Sequence, residues 1–176
     1  MNNCYTANMI RRNNQFITRA GIIYLVLFAA LMILILVFSG FSGEISSSQS
    51  GFVVDVLNAA LKFFGINLNA DQLDIFAYVI RKLVGHFLLF LLDGLFAYLA
   101  LNNMTIIKNK WLRILVAGGA MLLVAGSSEL IQLFTSGRSG NLYDVGIDLS
   151  GALLGIAIAF LITFQRKEKA EIGSAS

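Results

Sequence analysis

The chain lacks proline altogether and carries a single cysteine, Cys4, among its 176 residues. No helix is therefore kinked by ring geometry, no disulfide closes within the chain, and no cysteine-built zinc cluster forms. Charge is scarce as well. Only 13% of residues are Asp, Glu, Lys or Arg, against about 25% in a soluble domain. The motifs of several enzyme classes are missing: there is no H-E-x-x-H, no P-loop and no dinucleotide fingerprint. Gly126-Ser127-Ser128-Glu129 is not a G-x-S-x-G elbow. The basic clusters are too small for a nucleic-acid partner. What is abundant is apolar surface, with 57% hydrophobic residues and a mean hydropathy of +0.78. Such a composition excludes a disordered chain and a cytosolic globular enzyme.

Four apolar runs are long enough to cross a bilayer. They are Gly21 to Phe38, Leu83 to Leu101, Leu112 to Phe134 and Val145 to Phe164. The first is read as a retained helix and not a secretory leader, whose core is usually about 7–15 residues. Arg11, Arg12 and Arg19 precede span one, Lys108, Lys110 and Arg113 separate spans two and three, and Arg166, Lys167 and Lys169 follow span four. The positive-inside rule puts all three clusters, and both termini, in the cytoplasm. Trp111 is read as an interfacial anchor. Between spans one and two, Phe41 to Gly51 reads as Ser/Gly-rich coil. Phe52 to Phe64 follows as an extracytoplasmic amphipathic helix lying in the interface. Gly65 ends that helix, and Asn69 is the N-cap of the next. The expected fold is an all-α membrane protein, a four-helix bundle. Residues 1–165 form the membrane domain, and 166–176 a disordered cytoplasmic tail.

Ionisable residues interrupt these spans, and buried charge in a membrane is expensive enough to mark function. At ~1.5 Å rise per residue, His86 lies ~6 Å inside span two, Glu129 ~7 Å short of the outer end of span three, and Asp148 ~5 Å inside span four. Three helices thus place an ionisable group about one turn below the outer face. Gln132 and Asp144 lie one turn outward on the same faces, and Arg138 occupies the loop between them. Asp144, Asp148, Gly151 and Gly155 form one stripe on span four, its lower part a small-xxx-small packing seam. Gly118, Leu122, Ala125, Glu129 and Gln132 form a comparable stripe on span three. Asp93 shares the His86 face but lies ~10 Å deeper.

Glu129-Leu-Ile-Gln132, then Gly137-Arg138, then Asp144-Val-Gly-Ile-Asp148 and Gly151-Ala-Leu-Leu-Gly155 together resemble the VanZ-like family of membrane proteins, over roughly residues 20 to 165. The stretch Phe41 to Gly51 and the Arg81-Lys82 pair before Gly85-His86-Phe87 are similar to the family as well. Asp148 stands where that pattern often has Asn. The resemblance implies a multi-pass protein of the bacterial cytoplasmic membrane, a cell-envelope setting and a link to teicoplanin resistance. It does not supply a reaction.

The residues themselves suggest an outward-facing polar pocket that binds an anionic amphiphile, a lipid-linked wall precursor or a lipoglycopeptide antibiotic. Lys82 and Arg138 would hold the anionic head, because arginine offers a bidentate fork to phosphate. Glu129, Gln132, Asp144 and Asp148 would orient Arg138 and one another, and His86 would tune the site. The alternative is an enzyme acting on a phospholipid or polyprenyl phosphate, with Glu129 or His86 as general base and Arg138 as oxyanion stabiliser. A small transporter or assembly partner is the third reading. Membrane lipids are expected partners; no metal and no cofactor is expected. A buried cluster of this kind can also simply fix helix register.

Overall fold

The structure is a computed structural model describing residues 16–175; Cys4, Arg11 and Arg12 lie outside the described residues. Five helices follow in order: α1 (Arg19–Ser39), α2 (Gly43–Phe63), α3 (Ala70–Asn102), α4 (Lys110–Leu133) and α5 (Leu142–Ala175). No strand occurs among the described residues beyond one bridge between Ile17 and Met104. Four helices, α1, α3, α4 and α5, are long and apolar enough to span a membrane.

Each helix starts where its sequence supplies a cap. The side chains of Thr18 and Asn109 accept backbone N–H bonds at the heads of α1 and α4. Asn69 and Gln72 form a full capping box at the start of α3. Gly65, at φ +80°, lets the chain leave α2 in the left-handed conformation as expected.

Three expectations are corrected. The Ser/Gly stretch after span one is helical from Gly43 onward, not coil. Ser42 caps it by accepting the Ile45 N–H, and Glu44 sits in the first turn, favourable to the helix dipole. The tail expected to be disordered carries α5 on to Ala175. Arg166 to Ala170 are all strong helix formers, so nothing stops propagation there. On α4 the buried face runs through Ala117, Met121, Ala125, Ser128, Glu129 and Gln132, while Leu122 faces outward.

One irregularity matters for the site. The middle of α3, Arg81–Leu88, winds as a π-helix. Such widened turns concentrate at functional sites, and this one carries Arg81, Lys82 and His86.

The core is built from small and aromatic residues. Ala117, Ala125, Ala152 and Ala159 are fully buried beside Phe90, Tyr98 and Met121. Small residues let helix backbones approach closely where lipid gives no hydrophobic drive to associate. The closest approach is between α3 and α5, which run parallel. A Cβ on Gly151 would overlap the Phe87 carbonyl, one on Gly155 the Leu91 carbonyl, and one on Gly94 the Ala152 backbone. The Gly151/Gly155 seam is therefore a contact between backbones.

Candidate functional site

The α3–α5 contact sets two polar rungs directly above the glycine seam. Lys82 pairs with Asp144, and His86 Nδ1 lies 3.0 Å from Asp148 Oδ1. Both rungs join residues 62 apart, so one parallel register, fixed by the glycines, makes both pairs. Asp148 is fully buried, and His86, Asp144 and Glu129 are nearly so. His86, Glu129 and Asp148 each offer a ligand-type atom within 4.8 Å of the other two. Three helices thus bring together the three residues whose depths agreed in the sequence.

Glu129 is held from both sides. Its Oε2 accepts the Asn141 N–H at 2.8 Å, and its Oε1 accepts from Gln132 Nε2 at 3.0 Å. The first bond requires the loop to lie against α4, and Gly140 permits it. A Cβ there would meet the Glu129 carbonyl at 2.5 Å. Gln132 passes the connection on, because its Oε1 accepts from Arg138 Nη2 at 3.0 Å. Arg138 Nη1 reaches the Phe38 carbonyl at 3.4 Å. Arg138 therefore reaches Glu129 through Gln132, and no hydrogen bond joins it to Asp144 or Asp148 among the described contacts.

The Arg138 turn is fixed by two glycines. Gly137 has φ +69°, and the Gly43 N–H donates to the Ser136 carbonyl at 3.0 Å. A Cβ on Gly43 would overlap the Gly137 carbonyl. The start of α2 is thereby pinned to the α4–α5 loop. Ser39 adds a second tie, its hydroxyl 2.7 Å from that of Ser128.

A cavity of about 260 Å³ opens among α1, α2, α3 and α4. Its polar lining includes Arg81, His86, Gln132 and Arg138, and its apolar lining includes Ile35, Phe38, Ile80, Val84 and Phe90. Burial lowers the Arg138 guanidinium from its usual value, the Glu129 charge raises it again, and the Arg81 charge lowers it. Two guanidiniums thus feel one another beside one cavity. Arg81 Nη2 donates to Ser47 Oγ at 3.1 Å, while its Nε is buried with no acceptor.

Of the residues singled out in the sequence, His86, Gln132 and Arg138 line this cavity. Glu129 and Asp148 stand directly behind them, bonded to Gln132 and His86. Lys82 does not line it; its ammonium is held by Asp144 and lies 5.5 Å from the centre of the Tyr78 ring. Arg81, not among the residues assigned to the anionic head from sequence alone, lines the cavity instead. Its position next to Lys82 and four residues before Gly85 was the available signal, but the π turn that reorders the two faces leaves no mark in the pattern. Ser39 was also missed, because a hydroxyl is unremarkable in an apolar helix. Asp93 is fully buried with neither carboxyl oxygen hydrogen-bonded, and the histidine that shares its face turns to Asp148.

Comparison with known proteins agrees with the motif. The VanZ/LLP1 family model matches residues 22–163. Neither a curated protein nor a solved structure matches the chain.

Proposed function

The chain belongs to the VanZ/LLP1 family and is a multi-pass membrane protein; from that premise we propose that it acts in the bacterial cell envelope by taking an anionic amphiphile into the cavity beside Arg81 and Arg138. One observation carries this reading: two arginines border a cavity whose remaining wall is largely apolar. Guanidinium forks suit phosphate and carboxylate. An apolar wall suits an acyl or prenyl chain. Arg81 has a buried Nε without an acceptor, so an entering anion would satisfy a donor left bare. Lys82 is neutralised by Asp144 and serves to hold α3 against α5. The natural ligand would be a lipid-linked wall precursor or a lipoglycopeptide, and lowered susceptibility to teicoplanin would follow from its capture.

The orientation proposed is with the cavity outward and both termini cytoplasmic. It is supported by the gathering of Arg19, Lys110, Arg113 and Arg166 at the opposite end of the bundle. There Thr18 bonds Asn103 and Lys110 lies 5.3 Å from the Phe164 ring centre. In this orientation α2 lies on the outer side, its Phe63 and Phe64 exposed for contact with the interface.

The test is mass spectrometry of lipids retained by purified protein. Wild type and Lys82→Ala should carry anionic lipid, and Arg138→Ala and Arg81→Ala should lose most of it. Equal lipid profiles across the four proteins would remove the reading.

A second reading, an enzyme acting on a phospholipid or polyprenyl phosphate, is favoured by the His86–Asp148 pair at the cavity wall. A carboxylate on one ring nitrogen orients the imidazole as a general base. His86→Gln should then stop turnover while leaving lipid retention intact. Survival of both the phenotype and lipid retention in that variant rules out His86 as the base.

A further inference from the structure

We propose that His86, Glu129 and Asp148 together form a binding site for one divalent transition-metal cation of the zinc class. The donor set is one imidazole and two carboxylates contributed by three helices, with ligand atoms within 4.8 Å of one another. Metal–ligand bonds of about 2.0–2.2 Å place the donors of a tetrahedral site roughly 3.3–3.5 Å apart. Small side-chain rotations close the trio to that spacing. Three protein ligands also leave one position free, as in catalytic and not structural zinc sites. His86 lines the cavity, so the trio borders the space where a ligand enters.

A second observation points the same way independently of the clustering. Asp148 is fully buried, and its Oδ2 has no hydrogen-bond partner. A carboxylate oxygen left bare in such a place needs an explanation, and an ion is one of the few available. The nearby cations do not supply it. Lys82 is engaged by Asp144, and Arg138 is engaged by Gln132 and the Phe38 carbonyl. The trio thus holds two carboxylates with no Lys or Arg bonded to either, a balance that a divalent ion satisfies. The ligands are also braced from behind, as metal ligands commonly are. Asn141 and Gln132 donate to the two oxygens of Glu129 and fix its plane. When the cation enters, the His86–Asp148 hydrogen bond is exchanged for two metal bonds. The site is separate from the anion-binding reading, which rests on Arg81 and Arg138 and is tested by lipid retention.

The test uses the full chain, purified in detergent and stripped of metal, with Zn²⁺ titrated by calorimetry and Co²⁺ followed by visible absorption. Wild type should bind one Zn²⁺ per chain and show a cobalt band. Glu129→Gln, Asp148→Asn and His86→Gln should each weaken binding at least about 100-fold, and Gln132→Ala about 10-fold, as loss of a supporting group does. Asp93→Asn and Cys4→Ser should bind as wild type. Zn²⁺ should raise the melting temperature of wild type, Asp93→Asn and Cys4→Ser but not of the three ligand variants, a readout that also reports whether each variant is folded. If Asp148→Asn fails to fold, Glu129→Gln alone decides. Absence of saturable one-to-one binding by wild type overturns the proposal, and so does undiminished binding by Glu129→Gln.

Discussion

Asp148 and Asp93 make an instructive pair. Both are fully buried, and both sit on helices of the α3–α5 contact, yet their surroundings differ completely. Asp148 lies above the glycine seam, where His86 bonds one oxygen and Glu129 lies close by. Asp93 lies beside Gly94, whose backbone closes onto that of Ala152, and no donor reaches either oxygen. Depth and face alone do not make a functional carboxylate. What separates them is the company the chain provides. Three helices contribute polar groups around Asp148, and none hydrogen-bonds either oxygen of Asp93.

The most forceful way to break the comparison is to separate the two helices. Gly151→Val or Gly155→Val places carbon on the opposing backbone, which no rotamer change relieves. Overpacking commonly costs 1–3 kcal/mol, and with backbone on both sides the cost should be about 3 kcal/mol or more. Folded yield and detergent melting temperature would report it. Gly118→Ala, where nothing lies within 4 Å, should be neutral or gain up to about 1 kcal/mol from helix propensity. If the two glycine classes behave alike, the seam does not set the register of the polar rungs.

Next in size is removal of a partner from each aspartate. His86→Leu strands Asp148 in the interior, and breaking a buried pair costs about 3–5 kcal/mol. Asp93→Leu removes a carboxyl that has no partner, and it should be neutral or stabilising. Urea or thermal unfolding of the two variants should therefore separate clearly. A large loss in Asp93→Leu would show that its carboxyl makes an interaction the static structure lacks. The outer rung gives a smaller version. Lys82→Met should cost about 1–3 kcal/mol by leaving Asp144 unpaired, and Lys82→Met with Asp144→Leu should recover much of it.

These contrasts also explain what could be read in advance. Span number and approximate ends follow from apolar run length, and the agreement in depth of His86, Glu129 and Asp148 follows from a constant helical rise. Both survive because they depend on distance along a helix. Readings that depended on angle around a helix fared worse. Arg81 lines the cavity and Lys82 does not, because the π turn at Arg81–Leu88 changes the angular step between residues, and composition does not announce it. Leu122 was placed inward by a nominal period that the real α4 face departs from. The Ser/Gly stretch before Phe52 looked like coil because its residues have weak helix propensity. Helix wins there because Ser42 caps the end and the Gly43 N–H finds an acceptor on Ser136, a contact made only in the folded chain.

The smallest effect expected concerns the turn that aims Arg138. Gly137 adopts φ +69°, a region costing an ordinary L-residue roughly 1–2 kcal/mol. No neighbour crowds its Cβ position closer than 3.5 Å, so the penalty is conformational and not steric. Gly137→Ala should therefore lower stability by about 1 kcal/mol, and Gly137→Asn by less, because asparagine tolerates this conformation. Both should keep the α3–α5 rungs intact, since those are set elsewhere. The anion cavity should be more sensitive than the fold. A turn that relaxes by a few tens of degrees moves the Arg138 guanidinium away from Gln132 while leaving His86 on Asp148. Lipid retention should thus fall in Gly137→Ala while Zn²⁺ binding is preserved. If both fall together, the arginine turn and the buried trio are one cooperative unit, and the separation drawn between the upper cavity and the helix contact beneath it fails.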